Sequence, residues 1–82
     1  MNRLEHLLTI LQEECAEVAQ RASKAARFGL DEIQQGQELS NSERINVEYI
    51  DVITLIEMLI EDGAMLRVDN EEMGTMIAAK KV

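Results

Sequence analysis

Four acidic residues stand out by their spacing. Glu14 and Glu17 are separated by two residues, and so are Glu48 and Asp51. On a helix, positions i and i+3 share a face with Cβ atoms about 5–6 Å apart. Each pair would therefore set two carboxylates side by side, where they repel one another unless a cation sits between them. Mg²⁺ is a hard ion that takes oxygen ligands in octahedral geometry and keeps some of its water. Two such pairs on facing helices would make an acidic cleft for one or more of these ions, as in other carboxylate-bearing helical bundles. The competing reading is a solvated acidic face with i,i+4 ion pairs, Glu17 with Arg21 for example. With 16 acidic residues in 82, about three i,i+3 acid pairs arise by chance, so one pair alone is weak grounds for a metal site.

The elements that must carry these residues are helices. Leu4, Leu7, Leu8, Leu11, Cys15, Val18, Ala22 and Ala26 recur at steps of three and four, which predicts one helix from about Asn2 to about Phe28. Its second half is rich in Ala, the best helix former, and Gly29 is the expected stop. Residues 29–40 read as a loop, with room for a short helical turn around Asp31–Gln35. Ser40, with Glu43 three residues on, fits a capping box and opens a second helix to about Asp62, stopped by Gly63. Its main stripe is Ile45, Tyr49, Val52, Ile56 and Leu59. Asp69 and Glu72 repeat the capping pattern before a third helix that ends at Lys80 and Lys81. At 100° per residue, Glu14, Glu17, Glu48 and Asp51 fall at the rims of the two stripes, semi-buried where the helices meet. Glu13 points nearly to the far side.

Composition narrows the class. At 82 residues the chain reads as a single domain spanning residues 1–82. One cysteine forbids an internal disulfide, and one histidine leaves no zinc spacing. A chain this small then relies on well-packed helices or on self-association. The net charge of −8 argues against nucleic-acid binding, which needs clustered Lys and Arg. No apolar run approaches a membrane span. The start, Met1-Asn2-Arg3-Leu4-Glu5-His6, interrupts its apolar residues with charge, unlike a signal peptide. The expectation is a cytoplasmic protein that engages neither membrane nor nucleic acid.

The pattern Glu13-Glu14-x-x-Glu17 followed by Glu48-x-x-Asp51 resembles the signature of the all-α nucleoside triphosphate pyrophosphohydrolases of the MazG-like group. The segment Glu14-Cys15-Ala16-Glu17-Val18-Ala19-Gln20, leading through Ala22-Ser23-Lys24 to Arg27-Phe28-Gly29-Leu30, is similar to short phage and bacterial members. The likeness runs from about residue 5 to about residue 81. It implies Glu14, Glu17, Glu48 and Asp51 as metal ligands by motif match, with Mg²⁺ as cofactor and Mn²⁺ as a substitute. Glu13 either supports the ligands from behind or lies on the surface. The implied reaction cleaves a nucleoside triphosphate between its α and β phosphates, giving a monophosphate and pyrophosphate. No Ser-His or Cys-His pairing supports a covalent route, so metal-assisted hydrolysis is the physical reading, with Glu17 the choice for the proton acceptor. The rival is a non-catalytic acidic helical module that regulates a partner or senses nucleotides.

Other residues divide between binding and structure. Arg21 and Lys24 follow Glu14 and Glu17 by seven, on nearly the same face, and either hold phosphate oxygens or pair with the acids one turn back. Lys80 and Lys81 either reach the triphosphate or complement the helix C-terminus. Asn46 reads as helix surface, with a base or sugar contact as the alternative; Phe28 as a core plug, with stacking on a base as the alternative; Cys15 as a packing residue; His6 as surface. A second apolar row on the second helix, Val47, Ile50, Thr54 and Met58, lies roughly opposite the main stripe. A helix apolar on two sides is buried on two sides, which predicts a homo-oligomer. The resemblance likewise implies dimers or dimers of dimers. The expected fold is thus all-α: a helical hairpin plus a third helix, completed to a bundle of four or more helices by a second copy.

Overall fold

A computed structural model describes residues 1–81 as three helices and no strand among them. The first, α1, spans Arg3–Phe28. It starts on Asn2, whose side-chain oxygen accepts the Glu5 N–H at 2.8 Å, and ends at Gly29. The second, α2, spans Asn41–Glu61 and opens with the expected capping box: the Ser40 hydroxyl accepts from Glu43 N–H, and the Glu43 carboxylate accepts from Ser40 N–H. At its far end Gly63 takes a φ of 78°, and two bonds close a Schellman turn, Gly63 N–H to Ile60 O and Ala64 N–H to Leu59 O, both 2.9 Å. The third, α3, spans Asn70–Lys80 and starts on Asp69, whose carboxylate accepts from Glu72 N–H. The loop between α1 and α2 contains turns but no helical turn over 31–35. Two bonds from the start of α2 replace it: Asn41 N–H to Glu32 O and Ser42 N–H to Leu30 O, both 2.9 Å.

Helices α1 and α2 pack as an antiparallel hairpin, closed at its open end by an ion pair of Arg3 with Asp62. The seam differs from the expected stripes. On α1 it runs through Leu7, Leu11, Glu14, Val18, Arg21 and Ala25, while Leu4, Leu8, Cys15, Ala22 and Ala26 stay exposed. On α2 it runs through Asn41, Glu48, Leu55 and Leu59, with Ile45, Val52 and Ile56 beside it, and Tyr49 is 59% exposed. The reason is that each helix has a single neighbour. One contact line buries a narrow strip, so the flanks of a wider apolar stripe remain uncovered. Met58, expected on the second face, packs instead on the core of Leu7, Leu55 and Leu59. Phe28 plugs no core; it is exposed, with the Arg27 guanidinium 5.3 Å from its ring centre. Cys15 is likewise exposed rather than packed.

Helix α3 makes no close backbone approach to α1 or α2; its Asn70 and Met73 line an open cleft together with Tyr49, Ile53 and Ile56 of α2. The linker before it is tied to α2 by a two-pronged pair, Arg67 Nη1 and Nη2 to the Glu57 carboxylate at 2.7 and 2.8 Å. The chain is a plate of 41 × 36 × 16 Å with a radius of gyration of 15.3 Å, against about 12 Å for a compact domain of this length. Among the described residues no helix is long and apolar enough to cross a membrane. So small a core is sensitive to truncation. Leu59 is fully buried at its centre, and Leu59→Ala is expected to cost about 2–5 kcal/mol. That is a large share of the 5–15 kcal/mol typical of a whole domain, and a thermal melt followed by circular dichroism measures it.

Candidate metal centre

Three of the acids meet across the hairpin. Carboxylate oxygens of Glu14 from α1 and of Glu48 and Asp51 from α2 lie within 4.8 Å of one another, and all three residues are half-buried. The positioning follows from helix geometry. Glu48 and Asp51 share a face of α2 through their i,i+3 spacing, and Glu14 sits on the α1 seam between Leu11 and Val18. Antiparallel packing then brings the middles of the two helices level.

The electrostatics are those of crowded like charges. The Glu14 carboxyl is raised above the ordinary glutamate range, first by desolvation, then by a hydrogen bond with the Glu48 carboxyl and by the charges of Asp51, Glu48 and Glu17. Loss of water and neighbouring negative charge both disfavour ionisation. A hard divalent cation relieves both by replacing water and proton together, and an all-oxygen donor set suits Mg²⁺ or Mn²⁺. The donor set therefore fits such an ion.

Glu17 stands outside this cluster. Its carboxylate faces Arg21, with Arg21 Nη2 to Glu17 Oε2 at 3.5 Å, and the same guanidinium lies 3.9 Å from Glu48 Oε1 through its Nε. Arg21 is thus the hinge between the cluster and Glu17, and its buried Nε has no hydrogen-bond partner. Lys24 reaches past these acids, its ammonium 3.4 Å from Gln34 Oε1 in the loop. Glu13 is exposed. Lys80 and Lys81 are exposed at the end of α3, away from the hairpin.

Two residues of this region were not legible as functional. Asn41 is buried, its amide donating to Gly29 O at 2.8 Å and to Glu32 Oε1 at 3.2 Å, which fastens the loop to α2. Arg44 donates to Gln34 Oε1 at 2.9 Å and lines a cleft of about 210 Å³ with Arg21, Gln37, Leu39, Val47 and Glu48. Both needed the folded loop to become visible. Helical register puts the cluster, Arg21, Lys24 and this cleft on one face of the hairpin. An apolar cleft bounded by Cys15, Val18, Ile45, Asn46, Tyr49 and Val52 opens on the other.

No family model, curated protein or solved structure matches this chain.

Proposed function

We propose that this chain is a cytoplasmic, Mg²⁺-dependent nucleoside triphosphate pyrophosphohydrolase of the MazG-like kind, giving a nucleoside monophosphate and pyrophosphate. The observation that carries the reading is the convergence of Glu14, Glu48 and Asp51 oxygens within 4.8 Å across two helices. The sequence resemblance implies the reaction, and the convergence supports an ion site for it. Glu14, Glu48 and Asp51 hold the ion, with Mn²⁺ as a substitute. What a bound ion supplies there is neutralisation of phosphate oxygens and a more acidic water. Glu17, outside the cluster, takes the proton of the attacking water; serving as a fourth ligand instead requires it to leave Arg21. Arg21 and Lys24 hold phosphate oxygens on the same face.

The proposal extends to assembly. Val47, Tyr49, Ile50 and Ile53 leave apolar surface on α2 turned away from α1, and a second copy covering it gives a bundle of four or more helices. Lys80 and Lys81, remote from the hairpin of their own chain, then serve the pocket of a neighbour.

The test is product analysis over a panel of nucleoside triphosphates, with and without Mg²⁺. Pyrophosphate and the monophosphate are expected, only with the ion. Orthophosphate released from an intact diphosphate, or no turnover on any common nucleotide, rejects the reading; nucleotide binding without turnover leaves the sensing module.

A further inference from the structure

We propose that the cleft of Arg21, Arg44 and Gln37 is an anion subsite that takes the distal phosphoryl groups of a polyphosphate chain, with Arg44, whose side chain bonds only to the neutral Gln34, as its principal cation. The polyphosphate identity of the ligand rests on the hydrolase reading above; the anion site rests on the charges of the cleft.

Of the 8 basic residues, Arg3, Arg21 and Arg67 pair with carboxylates, while Arg27, Lys80 and Lys81 are exposed to water. Arg44 and Lys24 differ from both groups: they are half-buried, neither is ion-paired among the described residues, and both donate to one neutral acceptor, Gln34 Oε1, at 2.9 and 3.4 Å. Two half-buried cations sharing one amide oxygen leave positive charge uncompensated where water only partly screens it. An ionised oxygen forms stronger, shorter hydrogen bonds to such donors than an amide does. The guanidinium fork is also suited to binding phosphate through two parallel bonds.

The cleft lies against the cluster. Glu48 belongs to both, lining the cleft and meeting Glu14 and Asp51, and Arg21 borders both. A chain of phosphoryl groups laid on the ion at the cluster therefore continues past Arg21 to Arg44. The volume of about 210 Å³ is several times the ~30 Å³ share of one water, enough for phosphoryl groups and some hydration. The N-terminus of α2 is not the attraction, because its Asn41, Ser42 and Glu43 N–H groups are already taken by Glu32 O, Leu30 O and the Ser40 hydroxyl. Glu48 opposes an anion in this cleft until a cation neutralises it. Anion and metal binding are thus coupled, and by reciprocity each tightens the other by the same factor.

Calorimetric titration of the full chain with inorganic tripolyphosphate in excess Mg²⁺ tests this. Arg44→Gln is expected to weaken binding about tenfold or more, Arg44→Lys to recover part of the loss, and both to keep the Mg²⁺-induced rise in melting temperature. Unchanged tripolyphosphate affinity in Arg44→Gln overturns the subsite. In the unmodified protein, the Arg44 side-chain Nε–H resonance is expected to shift saturably on the same titration; no shift overturns the subsite even if the variants fail to fold. Arg44-dependent binding without turnover of any nucleotide sinks the hydrolase reading and keeps the subsite. Turnover with Arg44-independent tripolyphosphate binding does the reverse.

Discussion

Asp51→Asn and Glu48→Gln are expected to abolish the Mg²⁺-induced rise in melting temperature and to lower pyrophosphate release by orders of magnitude, while the helices stay formed. Binding of an ion to the folded state alone raises apparent stability by mass action, and ligands of one ion act as a unit. Glu14→Gln and Glu17→Gln belong to the same series for turnover. The metal-free protein separates this from an ordinary structural role. Removing one charge from a crowded acidic cluster relieves repulsion, so Asp51→Asn without metal should be at least as stable as the parent. A structural ion pair would show the opposite sign. The pH dependence follows from Glu14. Its folded-state pKa is raised, so its contribution favours the fold while protonated and is lost as pH rises through that folded-state value. Metal-free protein should therefore weaken over that window, Mg²⁺ should restore it, and Glu14→Gln should flatten the response. Full metal stabilisation retained in both α2 variants would put the site elsewhere.

Ile50→Lys is expected to dissociate or unfold the assembly proposed for the unmodified chain at micromolar concentration. Ile50 is 60% exposed on the side of α2 facing away from α1, with Val47, Tyr49 and Ile53 around it. Linker residue Leu66 is 92% exposed, and Met73, Met76 and Ile77 of α3 are exposed as well. Of these, Tyr49, Ile53, Leu66 and Met73 line one open cleft; large exposed apolar patches mark interaction sites, and a plate one hairpin thick has no second layer to cover them. A lysine at Ile50 would place an unpaired charge in the proposed interface, which is severely unfavourable. Light scattering reads the result directly. A well-folded, monomeric parent chain, or an Ile50→Lys variant with unchanged mass and melting temperature, refutes the assembly.

The sequence by itself determined the local structure. Ser40 with Glu43, Asp69 before Glu72, and glycines at 29 and 63 set the helix ends within a residue or so, because capping and positive-φ stops depend on atoms a few positions away. It also paired Glu48 with Asp51 on one face, since a spacing of three is a property of the helix alone. Tertiary structure decided which acids meet. Glu14 joins the α2 pair while Glu17, one turn on, is drawn to Arg21, a choice made by the crossing of two helices rather than by spacing within either. The same crossing left Cys15 and Tyr49 outside the seam, because hydrophobic periodicity records what wants burial, whereas the number of neighbours sets what one chain can bury. Arg44 and Asn41 became visible only when the 29–40 loop folded back on α2, a contact between residues distant in sequence that no local pattern encodes.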